Sequence, residues 1–114
     1  MEYACKLAGS KLIVVLGHSH CGAIKGACAK VELDHLSGLL QKIKPAVVAI
    51  QAEESLEITA DDDNLVQKVA DKNVQLTVEK IRSKSPLLKD MEKNGEIGIV
   101  GGMYDIETGK VKFY

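Results

Sequence analysis

Two stretches of this chain are apolar over the length of a strand, and most of what lies between them follows a helical period. Leu12-Ile13-Val14-Val15-Leu16 reads as a short strand buried on both faces, and Gly17 after it lets the backbone turn sharply. Ile97 to Gly102 reads as a second strand. From Met103 the chain continues extended through Tyr104 and Ile106, turns at Glu107-Thr108-Gly109-Lys110 and returns as Val111 to Tyr114, a terminal hairpin. The helical segments are Glu2 to Ala8, stopped by Gly9 in a left-handed cap; Ala23 to Val31, with Gly26 at a close-packing position; and His35 to Ile43, capped by Asp34. In the last of these Leu36, Leu39, Leu40 and Ile43 form one apolar stripe, and Pro45 marks the next boundary.

Ala46 to Ile50 fits either a buried strand or a helix, and helix is the preferred reading. Glu53 to Asp63 holds six acids and no base, which predicts a solvated loop running into a helix start with one aspartate as its cap. A long helix follows from about Leu65 to Ser83, its buried face made by Val66, Val69, Ala70, Val74, Val78 and Ile81. Ser85-Pro86 interrupts it, with Pro86 suited to the first position of a short helix whose apolar side is Leu87, Leu88 and Met91 and whose end is Asn94-Gly95. Strand, helices, strand and hairpin in this order describe a single α/β layer domain over residues 1–114. About three strands make too small a sheet to cover so many apolar helix faces, so missing partners are expected, in chain or in assembly. The short first helix also raises the expectation that residues preceded Met1.

Composition narrows the partners. Fifteen basic and sixteen acidic residues give a net charge of −1, with no basic field for nucleic acid or an anionic membrane surface. No apolar run reaches the roughly 20 residues of a membrane-spanning helix, and the amino terminus carries no secretion signal, so a cytoplasmic protein is expected. Three cysteines are too few for a disulfide framework; Cys5 and Cys28, set among small and apolar residues, read as buried filler.

The chemistry concentrates in Gly17-His18-Ser19-His20-Cys21-Gly22. An imidazole and a thiol three residues apart, in a turn between strand and helix, have the spacing and ligand type to meet one Zn2+ ion. Against that stands the plainer alternative of a polar turn residue and a buried thiol. Gly17 and Gly22 before a helix also resemble a phosphate loop, but Ala23-Ile24 stands where that loop needs Lys-Ser or Lys-Thr.

Glu2-Tyr3-Ala4, the strand with Gly17-His18-Ser19-His20-Cys21-Gly22-Ala23, then Leu39 to Ala46, then Met103-Tyr104-Asp105-Ile106-Glu107-Thr108-Gly109-Lys110-Val111 together resemble a β-class carbonic anhydrase, in the family's order and over nearly the whole chain. The resemblance implies a mostly parallel central sheet flanked by helices, assembly as a homodimer or higher oligomer, and reversible hydration of carbon dioxide to bicarbonate. It also implies zinc held by two cysteines and one histidine, with His18 and Cys21 as two of the three. Bound zinc would lower the pKa of its water towards about 7.

The chain departs from the family in one place. The family's other cysteine ligand lies in a Cys-x-Asp-x-Arg motif on an earlier strand, and no such motif occurs here. One ligand and the Asp/Arg pair that controls the metal-bound water are therefore lacking, so no catalytic residue is assigned and the chain corresponds to about the latter two-thirds of the family domain. Cys28 lies about 10 Å along the helix from Cys21, too far to share one ion. His20 is expected to point away, His35 to lie at the surface or a cap, and Cys5 to be reachable only if the first helix folds back. The first reading is a zinc carbonic anhydrase incomplete for catalysis as this chain. The second is a noncatalytic truncated relative acting as an assembly or binding module, and carbon disulfide is a possible substrate within the first. Because the family strand matching Leu12 to Leu16 is internal, its open edge here is expected to be covered by another chain.

Overall fold

The computed structural model describes residues 1–30 and 37–114. The expected cap at Asp34, His35 and Leu36, and the helix end at Val31, lie outside the described residues. In chain order the elements are α1 (Glu2–Lys6), β1 (Leu12–His18), α2 (Gly22–Cys28), α3 (Ser37–Glu54), α4 (Asp63–Lys84), α5 (Pro86–Lys93), β2 (Gly98–Tyr104) and β3 (Val111–Phe113). They form an α/β layer with a three-stranded sheet of order β1-β2-β3, β1 parallel and β3 antiparallel to β2.

The helix signals fall close to where the sequence puts them. Gly9, at φ +82, stops α1. Asp62 caps α4 by accepting from the backbone N–H groups of Asn64 and Leu65. Ser85 accepts from the N–H of Leu88 to cap α5, whose first residue is Pro86. All six residues expected on the buried face of α4 are buried. Acidic side chains after α3's midpoint tie it to α4 through Glu54–Lys68 at 2.6 Å and Glu53–Lys72 at 2.9 Å.

Pro45 is not a boundary. It lies inside α3, which runs unbroken through it and joins the two separately expected helical segments. Proline there costs about 3 kcal/mol. Burial of Val47 and Ile50 just beyond it contributes about 1.5–3 kcal/mol each, which is enough to keep the helix going. Leu39, expected in the buried stripe of that helix, is half exposed, and Leu87 sits at the margin of α5 while Leu88 and Met91 carry its burial. Gly26 packs on Leu40, but a Cβ there would meet it only at 3.7 Å, so close packing does not require the glycine.

β1 also differs from expectation. It extends two residues further, to His18, and it is buried on one face rather than two. Ile13, Val15 and Gly17 face α4, whereas Leu12 and Leu16 stay 58% and 53% exposed on the other side. The helical layer covers one face of the sheet, so alternate residues of one strand meet different surroundings. Leu12 leans over Gly98, and Leu16 and Phe113 lean over Gly102, so the open face is a continuous apolar surface. Among the described residues β1 pairs with β2 alone, leaving its other edge free.

Gly17 does not make a turn. It lies within β1, where a Cβ would come 2.8 Å from Val74 Cγ2 and 2.9 Å from Met103 Cε. Gly101, on the neighbouring strand, leaves the same kind of room: a Cβ there would sit 2.8 Å from Val74 Cγ1 and 3.2 Å from the Tyr114 ring. Val74 of α4 thus seats between two glycines. Tyr114 closes the far side of this contact, donating its hydroxyl to Asp71 of α4; burial first, and then that carboxylate, raises the phenol above its ordinary range.

Replacing Gly101 by Ala forces Val74 and α4 off the sheet and should cost about 1–3 kcal/mol in urea denaturation. In a Val74→Ala background the same change should cost distinctly less, because the atom it strikes is gone. The guanidinium of Arg82 grips Glu92 with two bonds, at 2.7 and 2.8 Å, joining α4 to α5. Arg82 holds the Glu92 carboxyl below its ordinary value, chiefly by the hydrogen bonds. The stability this pair contributes is present above the ordinary carboxylate range and is lost as pH falls through the depressed folded value. Thermal melts of the parent and Glu92→Gln should therefore differ at pH 7 and converge as the pH is lowered towards 3.

Candidate metal centre

The end of β1 and the start of α2 bring His18 and Cys21 into one turn. His18 is the last residue of the strand, and Cys21 is the amino-terminal cap residue of α2, with extended backbone angles. His18 Nδ1 lies 2.8 Å from the Ser19 carbonyl oxygen. A carbonyl can only accept, so Nδ1 carries a proton, and in the neutral ring Nε2 is then the nitrogen with the lone pair; a backbone carbonyl commonly fixes a metal-binding histidine in this way. The ring is exposed and Cys21 is half-buried.

Both residues line a cleft of about 540 Å³ between the end of β1, α3 and α4. Leu39, Ile43 and Leu76 contribute apolar walls, and Lys42 and Lys80 contribute ammonium groups. Leu39 is thus exposed because it faces this opening rather than the core. Leu39, Lys42 and Ile43 belong to a stretch that carries the family resemblance, but that they and Leu76 and Lys80 wall this cleft shows only in the folded chain, where α3 and α4 meet the turn.

The other candidate ligands are placed elsewhere. Cys28 is 2% exposed at the opposite end of α2, with its thiol pushed up by burial, and Cys5 is buried among α5 and β2 residues. Both are core filler. His20 has a left-handed backbone, φ 53, and its Nε2 pairs with Glu107 Oε1 at 3.0 Å, which commits the ring to the β2–β3 turn. Among the described residues no cluster of three or more His, Cys, Asp or Glu side chains could hold a metal ion. His18 and Cys21 are thus two side chains of a type zinc accepts, lining one cleft, with no third such group beside them among the described residues.

No described helix is long and apolar enough to cross a membrane. A family profile for carbonic anhydrase matches residues 1–111. The carbonic anhydrase of Pseudomonas aeruginosa is 32% identical over 114 residues, covering 97% of this chain and 50% of that protein. That of Synechococcus elongatus is 29% identical, covering 97% of this chain and 41% of that protein. The β-carbonic anhydrase CcaA superposes over all of this chain and 51% of its own, with a TM-score of 0.85 and 26% identity. One of two tetrameric β-carbonic anhydrases of Sordaria macrospora superposes over 98% of this chain and 56% of its own, with a TM-score of 0.82 and 29% identity. The chain spans about half the length of the curated relatives it matches. The profile over residues 1–111 and the superposition on CcaA lead to a single conclusion: the chain belongs to the carbonic anhydrase family, in its β class.

Proposed function

We propose that His18 and Cys21 are two protein donors of a zinc site and that the protein serves the reversible hydration of carbon dioxide to bicarbonate. The observation that carries this reading is the His18 ring: its Nδ1 is tied to a backbone carbonyl, its Nε2 is left as a donor, and it opens on the same cleft as Cys21. Zinc, when bound, supplies hydroxide at neutral pH by acidifying its water. This chain's own contribution is the pair of donors, apolar walls suited to a small uncharged molecule, and the positive charges of Lys42 and Lys80, which favour an anion in the cleft. The third protein donor is assigned to no residue here.

The free edge of β1 and the bare apolar sheet face are covered, in this reading, by assembly as a homodimer or larger oligomer. An edge strand with one uncovered apolar face pairs readily with another chain. Support comes from the exposed Leu12, Val14, Leu16 and Phe113, and from the tetrameric relatives. The absence of a three-donor cluster among the described residues favours a second reading, a noncatalytic relative acting as an assembly or binding module.

Metal analysis with a carbon dioxide hydration assay separates the two. The chain should hold zinc weakly, and His18→Ala and Cys21→Ser should each abolish that binding together with any hydration above background. Zinc bound equally well by both variants overturns the metal site; a stable zinc-free oligomer without activity establishes the second reading. Light scattering should give a dimer or larger species, with slow exchange at the amides of residues 12–16 that point away from β2. A monomer in which those amides exchange rapidly removes the assembly.

A further inference from the structure

The end of β2 and the turn after it, Tyr104 to Lys110, carry none of the proposed donors, yet they are hydrogen-bonded to the turn that does. The Ser19 N–H donates to the Tyr104 carbonyl at 2.9 Å, and Ser19 Oγ accepts from the Ile106 N–H at 3.0 Å. One residue on, His20 Nε2 meets Glu107 Oε1 at 3.0 Å. Three hydrogen bonds thus join two segments some 87 residues apart in sequence. Ser19 has one polar group left, its carbonyl, and that is the group holding His18 Nδ1.

The turn is stiffened from within. Asp105 Oδ1 accepts from the Glu107 N–H, its carbonyl accepts from the Gly109 N–H, and its own N–H donates to the Lys110 carbonyl. Thr108 Oγ1 accepts from the Lys110 N–H, and Gly109 takes φ +74. Asp105, Thr108 and Gly109 each have a part in shaping this turn, which then presents the Ile106 N–H and the Glu107 carboxylate to the donor turn.

We infer that Ser19 and Glu107 are positioning residues: through them the β2–β3 turn fixes the Ser19 carbonyl, and with it the tautomer and orientation of the His18 imidazole. The inference rests on the zinc reading for its purpose, but the hydrogen bonds it describes are made within the chain itself. His20 also has a left-handed backbone, a conformation uncommon for a residue with a side chain, at the position where its ring meets Glu107.

The test uses the whole chain and two readouts. Long-range proton–nitrogen NMR of the neutral His18 ring reads the tautomer without metal, and titration with Co2+ reads donor affinity through the thiolate-to-cobalt absorption. The parent should show the Nδ1–H form. A Ser19→Ala/Glu107→Ala variant should lose the dominance of that form and bind Co2+ about tenfold more weakly, with its thermal melt unchanged. Ser19→Thr/Glu107→Gln, which keeps a hydroxyl and a carbonyl oxygen at the two positions, should restore both; if the alanine pair fails to fold, Ser19→Ala alone is read in the same way. An unchanged tautomer in the alanine variant overturns the inference, as does unchanged Co2+ affinity in a chain whose Co2+ binding depends on His18. Co2+ binding by the parent that His18→Ala does not weaken removes the metal reading, and the tautomer then decides the positioning role by itself.

Discussion

The closeness of α4 to the sheet is the constraint on which the rest depends. Val74 can reach the backbone of two neighbouring strands because Gly17 and Gly101 have no Cβ to keep it out. Interiors pack to near-crystalline density, so a missing Cβ on each strand converts directly into a shorter helix-to-sheet distance. That distance sets where α4 lies, and with it the far wall of the cleft, which includes Ala70, Asn73 and Thr77. Gly17 immediately precedes His18, so the residue that seats the helix also sets where the proposed donor leaves the strand.

Two apolar clusters divide the core along α4. One gathers α2, α3, Ile58 and the first half of α4; the other joins α1, α5 and the amino-terminal part of β2 to its second half. Both lie on the same side of the sheet. The described helices therefore cover one face of the sheet, with β1 unpaired along one edge and Leu12, Val14 and Leu16 uncovered on the other face. Burying each of these side chains is worth about 1.5–3 kcal/mol, so association here has a driving force that the single chain does not use.

How much of this was legible varied with the range of the interaction. The face of α4 was readable in full because a 3.6-residue period sustained over many turns has few alternatives, and Asp62, Ser85 and Gly9 were readable because caps are decided within a few residues. Pro45 misled because its cost is local while the burial that outweighs it comes from α4 and α2. Gly17 misled similarly: a glycine after five apolar residues looks like a turn, and only Val74, 57 residues away, shows that it is a packing contact. His18 and Cys21 could be picked out as a pair from their spacing, and the one-sided burial of β1 could not. Ile58, 1% exposed within an acidic stretch, left no periodic trace at all. The link from Ser19 and His20 to Tyr104, Ile106 and Glu107 was equally invisible, since Tyr104 and Ile106 read locally as extended chain and Ser19, His20 and Glu107 as ordinary turn residues.

The position of the donor pair has a thermodynamic consequence. His18 and Cys21, the proposed donors, stand at the end of the strand whose outer edge is free among the described residues, so whatever covers that edge comes close to the place where the proposed zinc site lacks its third donor. Tight structural and catalytic zinc sites have three or four protein donors. Two donors, even with one imidazole already fixed in tautomer by the Ser19 carbonyl, supply only part of the binding free energy. If a third donor arrives with the chain that covers the edge, metal binding and edge pairing are linked, and each strengthens the other by the same factor. Pre-orienting His18 then matters most before that event, because a ring already held in the productive tautomer adds no ordering cost when the remaining donor arrives. That places the carboxy-terminal turn and the open edge of β1 on opposite sides of one problem: the first holds the two proposed donors, and the second is the edge that β2 leaves unpaired.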